Sequence, residues 1–148
     1  MELHESVVFQ ANHLMGFKMN LPRVKDPVLH KLYAEAIHSL EKNLKELVPY
    51  YKMAPMPSVR ALSDEDLTAF YAGHLLLFAK TAVRNLAVGI TEVATPALRE
   101  TFRKQLNDAI QLHAKVFAFM LERGLYPAYD LNRLLANDQK IAAKALNL

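Results

Sequence analysis

The seven prolines of this 148-residue chain fall between stretches of helical periodicity or at the first position of one. Proline lacks an N–H and clashes with the preceding turn, so it is tolerated at a helix start and ends a helix elsewhere. The chain is thereby cut into a few long helices. Leu3, Val7, Leu14, Phe17 and Leu21 recur at helical spacing, and Pro22 stops this first segment. Asp26 caps a second helix with Pro27 at its first position, and the apolar row Leu29, Tyr33, Ala36, Leu40, Leu44, Leu47 carries it toward Pro49. Ser63 and Asp66 form a capping-box-like start to a third helix, from about Asp64 to Val93. Thr95 and Pro96 open a fourth, which Gly124 ends, and Asp130 caps a shorter fifth.

Between the second and third helices lies YYKMAPMPSVRAL, residues 50–62, with two prolines and no periodicity. Fully extended it reaches about 43 Å at roughly 3.3 Å per residue, and a 25-residue helix is about 37 Å long. The linker is long enough to cross a bundle from end to end. The predicted fold is therefore all-α: a ferritin-like four-helix bundle with a long proline-containing crossover and an extra C-terminal helix. A simple up-down-up-down bundle buries the same stripes and is the rival. One domain, 1–148, is expected, with a helical pair over 3–49, the linker over 50–62, a second pair over 63–124 and the last helix over 130–147.

Composition narrows the function. About half the residues are apolar and only four are glycine, which excludes a disordered chain and a turn-rich sandwich. The net charge of +3 comes without a basic block, so nucleic-acid binding is not expected. There is no cysteine, hence no disulfide, zinc-thiolate site or thiol nucleophile in this sequence. The N-terminal residues lack the pattern of a signal peptide. Lys80 and Arg84 interrupt the apolar run from Gly73 to Ile90, which argues against membrane insertion. Synthesis in the cytoplasm without export is expected.

Ferritin-like bundles commonly hold two metal ions with a Glu from each of two helices and a Glu-x-x-His from each of the others. Glu35 and His38 have that spacing, but the stripe through Ala36 and Leu40 turns His38 to the wet face. The fourth helix has Ile110 where the carboxylate should precede His113. His13, His74 and His113 lie on separate helices, and with a crossing linker they would share one depth. Such an imidazole set would suit zinc or copper. Lone inward histidines are more often neutral core residues, so these three stand as metal candidates only. No catalytic residue and no cofactor are expected.

The turn between the third and fourth helices is centred near residue 95, so antiparallel partners have numbers summing to about 190. That arithmetic sets Asn85 opposite Gln105 and Arg84 within a turn of Asp108. The four are predicted to form a polar layer across mid-bundle that fixes register rather than performing chemistry. Tyr50, Tyr51, Tyr126 and Tyr129 fall at helix ends and turns, where a ring packs while its hydroxyl stays wet. Tyr126 and Tyr129 are candidates for a partner surface.

The pieces AKTAVRN, ITEVATPALRE, QLNDAIQLH and MLERGLYPAY give residues 78–148 a strong resemblance to the spore coat protein F (Coat F) family of endospore-forming bacteria. The resemblance implies a ferritin-like helical bundle in the spore coat, with no enzymatic activity and no catalytic residues to carry over. It implies a structural or interaction protein whose partners are other spore coat proteins. Amphipathic helices in small bundles commonly dimerise, so a homodimer is expected as well. A metal-binding ferritin-like protein using bundle-core histidines is the alternative.

Overall fold

A computed structural model describes residues 2–51 and 61–148. Among these residues the chain is all-helical: α1 (Glu2–Asn20), α2 (Pro27–Leu47), α3 (Asp64–Glu92), α4 (Pro96–Glu122) and α5 (Leu131–Asn147). Short 3-10 turns, Leu21–Arg23 and Val48–Tyr50, follow α1 and α2, each with a proline in its first positions. Residues 52–60 of the expected linker lie outside the described residues, and with them its crossing of the bundle.

The helix ends have local causes. The Asp26 carboxylate accepts the Leu29 N–H at 2.8 Å, and Pro27 starts α2 where its missing N–H leaves no gap. Asp130 repeats the device at α5, accepting from the Arg133 N–H at 3.0 Å. Thr95 departs from expectation. It occupies the cap position of α4, but its hydroxyl makes no capping bond, and the entry rests on Pro96 and the Arg99 N–H to Thr95 carbonyl bond. Gly124 ends α4 with φ of 67°, a left-handed conformation that suits glycine. Leu125 N–H then bonds back to the Met120 carbonyl.

The chain divides into two compact units, Met1–Glu65 with Pro127–Leu148, and Asp66–Tyr126. In the first unit α1 packs against both α2 and α5. Val7, Ala11, Leu14 and Met15 of α1, Leu44 of α2, and Ala142, Ala143 and Ala145 of α5 are buried. Alanines at the contact let the α5 backbone approach closely, so a helix that reads as peripheral in sequence is part of this core. Phe17 and Tyr33 join α1 to α2 edge to face, with ring centroids 5.3 Å apart.

The second unit is the antiparallel hairpin of α3 and α4. Ala72 and Leu76 of α3 form a buried cluster with Val116 and Met120 of α4, flanked by Leu112, Phe117 and Phe119. Nearer the turn the Phe102 ring lies against Gly89, where a Cβ would sit 2.9 Å from Phe102 Cε2. Glycine at this position is what lets the ring lie so close.

Candidate functional site

The most concentrated polar chemistry is buried in the first unit. Asp138, on α5, is fully buried, and His4, on α1, is only 5% exposed. His4 Nδ1 lies 2.8 and 2.7 Å from the two Asp138 oxygens. Tyr51 Oη donates to Asp138 Oδ2 at 3.0 Å. Gln139, beside Asp138, donates from Nε2 to the Tyr51 carbonyl at 3.1 Å. One carboxylate thus gathers the start of α1, the end of the first helical pair and the middle of α5.

A helix period explains how each group reaches the interior. His4 precedes Val7, Ala11, Leu14 and Met15 on one face of α1, so the imidazole inherits a buried position. Asp138 and Gln139 precede Ala142 and Ala143 by four residues on the buried face of α5. A carboxylate so placed must be paired, because an isolated buried charge is costly. Burial first, and then the neighbouring Asp138 charge and hydrogen bond, push the Tyr51 phenol well above its ordinary range. Tyr51 is therefore a proton donor held neutral, which departs from the expected wet hydroxyl.

Chemically, a carboxylate that orients an imidazole resembles an acid–base dyad. A base must reach its substrate's proton, however. Here the carboxylate is fully enclosed and the imidazole nearly so, and the arrangement acts as a lock between helices. Lys18 provides a second tie in the same unit. Its Nζ lies 2.7 Å from Glu41 Oε1 of α2, and donates to the Ala145 and Leu146 carbonyls at 2.9 and 3.2 Å. A cation on the last carbonyls of α5 complements that helix's negative end.

The sequence-predicted residues lie elsewhere. His13 is half-buried in the first unit, and its Nδ1 is 2.9 Å from the Phe9 carbonyl. His74 and His113 belong to the second unit, the former exposed beside Phe70 and the latter stacked on Phe117. Among the described residues no group of three or more histidines or carboxylates is placed to hold a metal ion. Glu35 and His38 are both exposed. Arg84, Asn85, Gln105 and Asp108 are exposed as well, and among the described residues no hydrogen bond or ion pair joins them. They stand outside the core of the hairpin rather than across it. Tyr126 packs edge to face on Phe117, with Lys80 Nζ 5.8 Å from its ring centre, whereas Tyr129 is 87% exposed. No described helix is long and apolar enough to cross a membrane.

Sequence reasoning missed His4, Asp138 and Gln139, and gave Tyr51 a wet hydroxyl where the structure buries it. The available signal was polar residues on buried stripes, His4 three before Val7 and Asp138 four before Ala142. Nothing local pairs them, since 134 positions separate the two.

Comparison with known proteins draws attention to the other unit. The model of the Coat F domain matches residues 69–129, almost the span of the α3–α4 hairpin. The spore coat protein F-like protein YraD of Bacillus subtilis (strain 168) is 38% identical over 75 residues, covering 51% of this chain and 72% of the relative. No solved structure matches. His4 and Asp138 lie outside the segment that the domain model matches.

Proposed function

The chain belongs to the Coat F family, and on that premise we propose that it is a non-enzymatic structural protein of the bacterial spore coat. The observation that carries this reading is the similarity to a spore coat protein F-like protein over nearly three quarters of that relative's length. The buried state of the His4–Asp138–Tyr51 cluster supports it, because the strongest acid–base constellation is built as a fastening. In this reading the 148 residues form one ferritin-like brick, made in the cytoplasm and deposited in the coat. Its partners are other coat proteins and a second copy of itself, with no nucleic acid and no membrane insertion.

The exposed polar residues fit the same reading. Arg84, Asn85, Gln105 and Asp108 act at contacts between chains, where their charge and hydrogen-bonding groups set register. Tyr129 offers an exposed ring at the turn for a partner, while Tyr126 packs on Phe117 within the hairpin. The test is a fluorescent fusion expressed from the native promoter in sporulating cells of the source organism. The expected result is a shell of signal around the developing spore that persists on the released spore. Diffuse signal that never concentrates at the spore surface overturns the reading.

A further inference from the structure

Helix α5 buries Asp138, Gln139, Ala142, Ala143 and Ala145. Its leucines and Ile141 are half-buried or exposed. The alanine methyl groups take little apolar surface out of water. The docking of α5 therefore leans on its polar bonds. His4 and the Tyr51 hydroxyl hold the Asp138 carboxylate, the Tyr51 carbonyl holds Gln139, and Lys18 holds the Ala145 and Leu146 carbonyls. Such bonds add modest net stability, because each replaces a bond to water, although losing one side alone is costly. Larger apolar groups come to the core from α1 and α2, with Val7, Leu14 and Leu44 fully buried and Phe17 against Tyr33. Elements of one fold open with different free energies, and those with the least buried apolar contact open first.

The route of the chain separates α5 from the helices it fastens. A short connection joins α1 to α2, whereas α5 follows the whole α3–α4 hairpin and enters through the non-helical stretch 123–130. We propose that α5 is an exchangeable strap. It leaves α1 while α1 and α2 stay packed, and the face it uncovers accepts α5 of a second copy of the chain. The inference deepens the coat-building reading and rests on it for its purpose.

The uncovered face selects its occupant. It presents the His4 imidazole, the Tyr51 hydroxyl and carbonyl, and, toward the other end of α1, the Lys18 ammonium. These groups are matched by a helix with an acid and an amide side by side, about two turns before the carbonyls of its last turn. Between those points the helix must carry small residues, as Ala142 and Ala143 are in α5. A second copy carries that helix. Exchange of an identical element needs no new contact, since each bond made within one chain is remade between two. Concentration then decides the outcome. A short tether holds its own end at an effective concentration on the order of millimolar. The chain's own α5 therefore wins when the protein is dilute, and exchange competes when copies are packed together.

Reversing the buried pair between copies tests this with full chains. His4→Asp sets two carboxylates against each other in its own chain, and Asp138→His sets two imidazoles. Mixed in equal amounts, the two variants restore both pairs only by exchanging α5. The expected result is a dimer with one copy of each variant, read by sedimentation and native mass spectrometry. Its dissociation constant should be about a hundredfold or more below that of either variant alone. The chain carrying both substitutions restores the pair within itself and should be a folded monomer when dilute. In the native chain, amides of Ala142–Ala145 should exchange hydrogen about tenfold or more faster than those of Val7–Leu14 and Leu40–Leu44. A mixture that stays monomeric while the doubly substituted chain is folded overturns the proposal. So does equal hydrogen exchange in α1, α2 and α5, a measurement that decides the matter even where a single variant does not fold. Either result leaves the coat reading standing if the fusion still surrounds the spore, so the two failures are distinguishable.

Discussion

His4 and Asp138 stand 134 positions apart in the chain, yet one imidazole nitrogen lies within 2.8 Å of both oxygens of a fully buried carboxylate. The pair closes the first unit by fastening its first helix to its last. Removing His4 leaves the buried Asp138 carboxylate to the Tyr51 hydroxyl without its imidazole, a loss of about 3 kcal/mol. His4→Ala is therefore expected to destabilise the protein strongly in urea unfolding. Replacing both partners with apolar residues, as in His4→Leu with Asp138→Leu, should cost far less than the sum of the single changes. Strict additivity would show that the two groups are not coupled.

Tyr51 makes the same cluster sensitive to alkali. Its phenol is raised from the ordinary value of 10.0, first by burial and then by Asp138. In the unfolded chain the phenol ionises at its ordinary value, while the folded state keeps the proton. The stability it contributes is thus complete below pH ~10 and is lost as pH rises through the folded value. Tyr51→Phe should lose about 1 kcal/mol at neutral pH, the net worth of a hydrogen bond. It should also show a shallower fall in urea midpoint between pH ~8 and ~11 than the parent. Equal slopes would remove Tyr51 from the account.

Lys18 fastens the C-terminal turn of α5 to α1 and α2 together. Lys18→Met keeps the apolar stem and removes the charge. A loss of about 1–2 kcal/mol is expected, with faster hydrogen exchange at the end of α5. Glu41→Gln should cost less, since the carbonyl contacts survive. An unchanged exchange rate at α5 would show that the bonds carry little.

Gly89 sets the approach of Phe102 to α3 near the turn of the hairpin. Gly89→Val should destabilise by about 1–3 kcal/mol through overpacking against that ring. Phe102→Leu in the same chain should recover part of the loss by vacating the space. Failure of the second change to help would place the strain elsewhere.

What could be read from the sequence was whatever is decided locally. Asp26 with Pro27, Asp130, and Gly124 mark helix ends because each acts within three or four residues of itself. Long-range matters were hidden. The alanine row of α5 is only weakly hydrophobic, so its burial against α1 left little trace in the pattern. The axial match of α3 and α4 followed from the position of their turn, and Gly89 against Phe102 agrees with it. The rotation of α3 did not follow, because two adjacent apolar rows compete to face α4. That ambiguity is why Arg84 and Asn85 were expected inside the hairpin and lie outside it.

The central claim is that this chain is a building element of the spore coat, and extraction of the coat tests it most directly. Mature spores are to be stripped with detergent, alkali and reductant, and the coat extract, spore core and mother-cell debris probed with an antibody to the untagged protein. Strong enrichment in the coat extract is the predicted result. Recovery of the protein chiefly from the spore core or the mother-cell cytosol would contradict it.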